Sequence, residues 1–305
     1  MFIETNQVRN QIIPLEVFSI SNVNLVIKRE DQLHPDISGN KLRKLKYNIL
    51  EAKRLNKSTL LTFGGAYSNH IAAVAAMGKE YGFKTIGIIR GEELVDKVSS
   101  NATLSFAKSC GMLFYFISRD EYRKKDELFF SENLKSIYGD FYLLPEGGTN
   151  EFAVKGCAEI LTNKDTSFDY VCSSVGTGGT IAGLIKSSNS LQTVLGFSAL
   201  KGTFQTSYIN KFTRKKNYRI LDDYCFGGYG KVNAELIEFM NDFKNKTTVS
   251  LDPIYTGKMI FGIFDLINNG YFKENSNILA VHTGGLQGIN GMNALLKKKN
   301  LPTII

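Results

Sequence analysis

Short apolar runs alternate along most of the chain with longer stretches in which apolar residues recur at steps of three and four. The runs are rich in β-branched and aromatic residues, which is typical of buried strands, whereas the longer stretches are typical of helices. This alternation predicts parallel sheets built from strand–helix–strand units. The predicted strands cover residues 60–63, 85–89, 113–117, 141–144, 170–173, 193–199 and 278–282. The predicted crossover helices include residues 69–80, 101–110, 120–138 and 234–243.

One further helix is predicted over residues 39–55, where the apolar positions mark a single buried face. Those positions are Leu42, Leu45, Ile49 and Ala52. Lys41 therefore lies in the first turn of this helix. Asn40, just before it, is a suitable N-cap, since its side-chain oxygen can accept a hydrogen bond from an unpaired N–H group.

Length and composition narrow the possible functions. A chain of 305 residues is too long for one ordinary core, so we expect two lobes. The net charge of +8 comes from dispersed lysines and arginines, which favours an anionic small ligand over nucleic acid. The four cysteines form no C-x-x-C pair and there are three histidines, so we expect neither a disulfide framework nor a metal site. Without a secretory signal or a long apolar stretch, we expect a cytoplasmic protein with no membrane contact.

Three predicted strands run into glycine-rich turns that open helices, within residues 63–70, 173–180 and 281–288. A helix N-terminus presents unpaired N–H groups and the positive end of its dipole, and glycine lets an anion approach the backbone. The middle turn has the strongest phosphate-binding character, because its threonines add hydroxyl donors to its glycines. Its candidate binding residues are Gly176, Thr177, Gly178, Gly179 and Thr180.

Each of these features has a plainer alternative when taken alone. The middle turn has neither the Walker A ending nor the dinucleotide-binding G-x-G-x-x-G pattern, so it could be an ordinary connection between strand and helix. Lys41 could belong to the solvated face of a basic helix, together with Arg43, Lys44 and Lys46.

Six blocks of sequence, taken together, resemble one family. They are SGNKLRKLKY (38–47), FGGAYSNH (63–70), SVGTGGTIAG (174–183), GGYGKVN (227–233), LDPIYTGKMIFG (251–262) and VHTGGLQG (281–288). In this order they are similar to blocks of the D-cysteine desulfhydrase and 1-aminocyclopropane-1-carboxylate deaminase family, which belongs to the tryptophan-synthase-β-like class of pyridoxal-phosphate (PLP) enzymes. The resemblance covers nearly the whole chain.

This resemblance implies a fold and a cofactor. The fold is the α/β arrangement of PLP fold type II, with two open, parallel, twisted sheets and helices on both faces. Residues 1–45 and 150–305 would form a large PLP-binding domain, and residues 46–149 a small α/β domain. Pyridoxal 5'-phosphate is the implied cofactor, and a homodimer is the implied assembly.

The resemblance also assigns catalytic and substrate-binding roles. Lys41 would hold the cofactor as a Schiff base and later move the Cα proton of the substrate, which requires a lysine with a lowered pKa. Backbone N–H groups of Ser68, Asn69 and His70 would bind the substrate carboxylate. The Asn69 side chain would also bond the phenolic oxygen of the cofactor, and Ser68 would assist proton transfer.

Residues 176–180 would cradle the cofactor phosphate, in agreement with the glycine pattern. Tyr255 and Tyr229 match tyrosines that face the substrate in this family, although either could be a core aromatic residue. Thr256 matches the position whose side chain meets the pyridine nitrogen, where the cyclopropane deaminases carry a glutamate. A carboxylate keeps that nitrogen protonated and the ring a strong electron sink, whereas a hydroxyl cannot. Thr256 therefore favours β-elimination over ring opening.

We accordingly expect a lyase or deaminase that acts on a small amino acid, by a desulfhydrase-like β-elimination that gives a keto acid, ammonia and sulfide. The alternatives are a ring-opening 1-aminocyclopropane-1-carboxylate deaminase that gives 2-oxobutyrate and ammonia, and a protein that binds PLP without catalysis. Departures from the family pattern at Leu42, Tyr67, Ile71 and Ala72 predict a reshaped substrate pocket. They leave the identity of the amino acid open.

Overall fold

Two sheets organise the chain, which the computed structural model describes over residues 8–20, 22–37 and 39–305. Within those ranges the larger sheet contains β1 (Asn10–Ile13), β2 (Val23–Lys28), β7 (Tyr170–Val175), β8 (Thr193–Ser198), β9 (Tyr218–Leu221) and β10 (Ser276–Val281). The smaller sheet contains β3 (Thr59–Gly64), β4 (Lys84–Arg90), β5 (Leu113–Ile117) and β6 (Tyr142–Leu144). Their spatial orders are β1-β2-β10-β7-β8-β9 and β5-β4-β3-β6. Neighbouring strands pair in parallel, except for the antiparallel pair of β1 and β2.

Helices connect these strands in the predicted alternation. They are α1 (Asn40–Arg54), α2 (Asn69–Tyr81), α3 (Ala102–Ser109), α4 (Arg119–Arg123), α5 (Leu128–Tyr138), α6 (Glu151–Ala158), α7 (Gly179–Ser187), α8 (Gln205–Ile209), α9 (Ala234–Thr247), α10 (Thr256–Asn268) and α11 (Gly288–Lys298). The prediction of one helix over residues 120–138 is wrong, since α4 and α5 are separate. The charged stretch before α5 offers Tyr122 as its buried apolar side chain, which is too little to anchor a continuous helix.

The central strands of the larger sheet are buried on both faces, because helices cover both sides. Successive side chains of a strand point to opposite faces. Cys172 on β7 accordingly packs in one cluster with Phe243 of α9 and Ile263 of α10. Its neighbour Val171 packs in another cluster with Ile181 of α7. The near-continuous apolar runs seen in the sequence follow from this double coverage.

The chain enters α1 through a close contact at Gly39. The prediction that Asn40 caps this helix is wrong by one residue, since Asn40 is the first helical residue and Gly39 is the cap, with φ 57°. A Cβ at Gly39 would lie 2.1 Å from the carbonyl oxygen of Thr283. The Asn40 N–H donates to that same oxygen at 3.3 Å. Glycine is therefore what lets the start of α1 dock against the turn after β10.

Replacing Gly39 by alanine tests this contact, with Gly270→Ala as the matched control. Both glycines have positive φ, 57° and 68°, but no atom lies within 4 Å of the Cβ position of Gly270. The backbone conformation alone should cost about 1–2 kcal/mol at Gly270 and about 1–3 kcal/mol at Gly39, whose ψ of −132° lies outside the left-handed helical region. Gly39→Ala should lose roughly 1–3 kcal/mol more of its free energy of unfolding, because the added methyl overpacks the contact. Urea unfolding measures both, and equal losses would show that the close approach does not require glycine.

Candidate active site

A cavity of about 710 Å³ lies where strand ends from both sheets meet. This volume is within the range of roughly 300–1,000 Å³ that is typical of small-molecule sites. Its lining residues follow β3, β4, β5 and β6 of the smaller sheet and β7, β8 and β10 of the larger one. The carboxyl ends of parallel strands lie at the same edge of a sheet. Residues far apart in sequence therefore converge on one cavity.

Most of the predicted site residues line this cavity. They are Lys41, Ser68, Asn69, His70, Gly176, Thr177, Gly178, Thr180, Tyr229 and Tyr255. Gly179 and Thr256 are not among the lining residues. Gly179 begins α7 behind the cavity wall, and a Cβ there would lie 2.7 Å from the side chain of Thr149. The structure thus brings the residues together, and their chemical roles stay predictions.

Lys41 has the electrostatic surroundings of a reactive amine. Its Nζ donates to Oδ1 of Asn40 at 3.0 Å, and Nδ2 of Asn40 donates to the hydroxyl of Thr180 at 2.8 Å. Burial, and then the charge of Lys44, lower the pKa of Lys41 from 10.5 to about 7. Near neutral pH a large share of the amine is therefore unprotonated, which is the form that attacks a carbonyl.

A second lysine, Lys44, lies one turn further along α1 and also lines the cavity. It does not belong to a solvated helix face, because its exposed fraction is 3%. Its Nζ donates to the carbonyl of Gly147 at 2.8 Å and to the hydroxyl of Thr149 at 3.1 Å. That hydroxyl is 2.6 Å from the hydroxyl of Thr177 in the glycine-rich turn. Lys44 was not predicted as a site residue, although its spacing of three from Lys41 places both on one face of the helix.

The glycine-rich turn after β7 has the backbone of an anion cradle. Gly178 has φ 89° and precedes the first turn of α7, whose N–H groups have no partner within the helix. A Cβ at Gly176 would lie 3.2 Å from the ring of Tyr255, so glycine keeps the turn open next to that ring. The hydroxyls of Thr177 and Thr180 flank the same turn. These donors, the nearby buried ammonium and the adjacent amine together fit a phosphate-bearing aldehyde.

A second helix N-terminus, that of α2, faces the cavity. Ser68 caps it by accepting from the N–H of Ile71 at 3.3 Å, and this leaves earlier N–H groups of the helix for a ligand. Oδ1 of Asn69 accepts from Nε2 of Gln287 at 3.0 Å.

His70 is buried, with Nε2 2.8 Å from the hydroxyl of Thr62. Burial and then the charges of two neighbouring lysines hold the pKa of His70 well below 6.5, so its ring is neutral.

The two predicted tyrosines contact each other beside the glycine-rich turn. The rings of Tyr229 and Tyr255 meet edge to face, with centroids 6.1 Å apart. Burial raises the pKa of both phenols, so both are protonated at neutral pH and can donate. The loop of Tyr229 is held by Lys258, whose buried Nζ donates to the carbonyls of Cys225 and Gly228 at 2.8 and 2.9 Å.

Thr256 is engaged away from the cavity. Its hydroxyl donates to Oδ1 of Asp252 at 3.0 Å and accepts from the Asp252 N–H at 2.8 Å. The Asp252 carboxylate also accepts N–H groups at the start of α10, including that of Tyr255. The hydroxyls that do line this side of the cavity belong to Ser174 and Thr283, 3.2 Å apart. Thr283 was missed as an individual residue, although its glycine-rich turn was identified. The predicted contact of Thr256 with the pyridine ring stays a prediction.

Comparison with known proteins identifies the family. The sequence profile described as "Pyridoxal-phosphate dependent enzyme" matches residues 3–284. The chain belongs to this family. Its cofactor is pyridoxal phosphate, and the expected fold class of the PLP enzymes, fold type II, is confirmed. Within the described ranges no helix is long and apolar enough to span a membrane, and no group of three or more metal-binding side chains occurs.

Three individual proteins are similar to this PLP enzyme over most of its length. A putative 1-aminocyclopropane-1-carboxylate deaminase of Thermotoga maritima is 30% identical over an alignment that covers 87% of this chain and 90% of that protein. The mitochondrial bifunctional D-cysteine desulfhydrase/1-aminocyclopropane-1-carboxylate deaminase of Arabidopsis thaliana is 28% identical over an alignment that covers 87% of this chain and 73% of that protein. A crystal structure of a homologue of 1-aminocyclopropane-1-carboxylate (ACC) deaminase superposes with a TM-score of 0.83 at 26% sequence identity. The superposition covers 97% of this chain and 95% of that one.

The lowered pKa of Lys41 predicts how the apoenzyme takes up its cofactor with pH. Below pH about 7 most of the amine is protonated and inert, so the rate of PLP capture should rise through pH 7 and level off above about 8. A lysine with an unshifted pKa would give a rate that still rises toward pH 10.5. Stopped-flow absorbance measures this rate.

The Lys44→Gln apoenzyme is the companion to that measurement. Removing the Lys44 charge removes one cause of the lowered Lys41 pKa, so the midpoint of the pH profile should move to higher pH. A midpoint that stays in place would mean that the Lys44 charge does not contribute to the lowered pKa of Lys41.

Proposed function

We propose that this PLP enzyme catalyses β-elimination on a small amino acid, as a D-cysteine desulfhydrase does. The Cα–H and Cβ–S bonds break, one water is consumed, and a keto acid, ammonia and sulfide are released. The Arabidopsis relative, whose name includes this activity, supports the proposal. The particular amino acid and its enantiomer are the subject of the assay below.

The observation that carries the choice of reaction is the chemistry of the cavity wall next to the glycine-rich turn. There the larger sheet contributes hydroxyls from Ser174 and Thr283, whereas the lining carboxylates, Glu93 and Glu146, follow strands of the smaller sheet. The buried Asp252 is occupied with the start of α10. A carboxylate beside the pyridine nitrogen would keep it protonated, and a hydroxyl does not. Elimination, which needs a weaker electron sink than ring opening, fits this wall better.

Several residues would hold the cofactor, which supplies an electron sink for the carbanion at Cα. Lys41 would be the covalent attachment point. The turn of residues 176–180 would bind the phosphate, with the Lys44 ammonium adding a positive charge behind Thr177. The Asn69 amide, whose oxygen is taken by Gln287, would offer its NH₂ group to the phenolic oxygen.

The remaining groups would position the substrate and move protons. The first N–H groups of α2 would bind its carboxylate, as helix N-termini bind anions. The Lys41 amine would take the Cα proton of the substrate, and the Ser68 hydroxyl would assist. Tyr229 and Tyr255 are protonated and would donate to the departing β-group.

Ring opening of the cyclopropane amino acid is the second candidate, because the Thermotoga relative is named as a putative deaminase of that substrate.

We further propose a cytoplasmic homodimer. All four cysteines are free thiols, which suits a reducing compartment. The dimer rests on the family resemblance.

Lys41→Ala is the direct test of the attachment point. The variant should lose both the yellow absorption of bound PLP and all turnover, because no other residue is expected to replace the amine. Lys53→Ala, which removes an exposed lysine of the same helix, should keep both. A Lys41→Ala protein that stays yellow and active would exclude the assignment.

A substrate panel separates the two reactions. The holoenzyme should release sulfide and ammonia from D-cysteine faster than it releases 2-oxobutyrate and ammonia from 1-aminocyclopropane-1-carboxylate. The opposite preference would favour the deaminase. An enzyme that binds PLP yet is inert toward D- and L-amino acids would contradict the proposed catalysis.

A further inference from the structure

Four charged side chains surround the cavity on the side of the smaller sheet. They are Arg90, Glu93, Arg119 and Glu146, which lie at or after the carboxyl ends of β4, β5 and β6. None of them has a role in the mechanism above. Because they line the same cavity as Lys41, they are the groups that would meet the part of a substrate pointing away from the larger sheet.

Three of these charges are neutralised by neighbours. Arg119 pairs with Glu93, with 2.9 Å between Nη2 and Oε1. Glu146 accepts a hydrogen bond from the hydroxyl of Tyr122 at 2.8 Å, and its other oxygen is 3.4 Å from Nζ of Lys125. These contacts leave little unbalanced charge at the three positions.

Arg90 differs from the other three. It is the last residue of β4, and among the described residues no carboxylate lies within 4.0 Å of its guanidinium. The guanidinium lies over the ring of Tyr122, 5.6 Å from the centroid, and this contact orients it without neutralising it. Nη2 is 3.8 Å from the Cβ position of Gly65, in the turn that leads to α2. Arg90 is therefore a positive group next to the expected carboxylate site with no anion of its own.

We propose that Arg90 forms a subsite for a second negative charge, so that the cavity binds an amino acid with an anionic side-chain group more tightly than a neutral one of the same size. The inference rests on the proposed function, because it assumes that a free amino acid binds in this cavity. The substrate α-carboxylate already has donors at the N-terminus of α2, so Arg90 is available for another group. A planar guanidinium with parallel N–H donors matches a carboxylate, a sulfonate or a phosphate.

Binding to the holoenzyme tests this subsite, measured by the change in cofactor absorption as amino acid is added. Aspartate should bind about tenfold more tightly than asparagine, which has the same size, since a charge-assisted hydrogen bond at a partly solvated site is worth about that factor. Comparing the binding of cysteate with that of serine tests a sulfonate. Comparing the binding of O-phosphoserine with that of serine tests a phosphate. Both enantiomers are used.

Arg90→Gln should remove the preference for aspartate and leave asparagine binding unchanged. Arg90→Lys, which keeps the positive charge, should retain part of the preference for aspartate. Arg123→Gln removes an equal charge outside the cavity, where Arg123 pairs with Asp120, and should keep the preference. Unchanged asparagine binding and cofactor absorption show that a variant is folded.

Three results would overturn the subsite. First, the wild-type enzyme could bind aspartate and asparagine equally. Second, Arg90→Gln could weaken the binding of every amino acid alike, as expected if Arg90 binds the α-carboxylate. Third, Arg119→Gln, and not Arg90→Gln, could abolish the preference for aspartate. If no amino acid changes the cofactor absorption, the proposed function itself fails, which is a separate outcome.

Discussion

The docking of Gly39 against the Thr283 carbonyl is the contact on which the site depends. It joins the start of α1, which carries Lys41, to the turn that follows β10 in the larger sheet. The rest of α1 leads the chain toward the smaller sheet. The contact holds the amine between the two sheets, at the cavity that strand ends of both sheets line. A side chain at Gly39 would move the amine away from both.

Burial and a neighbouring charge lower the pKa of the Lys41 amine, which makes it reactive near neutral pH. Lys41 and Lys44 lie on one face of α1, where burial lowers the pKa of both amines and the charge of Lys44 lowers that of Lys41 further. Lys44 keeps two oxygen partners, Gly147 and Thr149, whereas Lys41 has the single oxygen of Asn40. Lys44 is thus better placed to stay charged beside the glycine-rich turn, and Lys41 to become neutral. Different hydrogen bonds thus support the different roles that we propose for these two similar side chains.

Local pattern was sufficient to predict the alternation of strands and helices, the three glycine-rich turns and the amine in the first turn of α1. These features depend on neighbours in sequence. Burial of Lys44 and the unpaired Arg90 depend on which strand ends meet, so the sequence could not reveal them. The contact of Thr256 with Asp252 spans only four residues at the start of α10, and it was not predicted although it is local. Strands β1 and β9 were not predicted, because they are four-residue strands at the edges of the larger sheet, where apolar patterning is weak. Strand β2 was also not predicted, although four of its six residues are apolar.

The central claim is that one of these two adjacent lysines, Lys41, carries the cofactor. Reducing the holoenzyme with borohydride fixes PLP to its lysine, and mass spectrometry of the digested protein then locates the label. The account predicts a single modified residue, Lys41, with Lys44 unmodified three positions later. A label on Lys44, on Lys258 or on no lysine at all would contradict it.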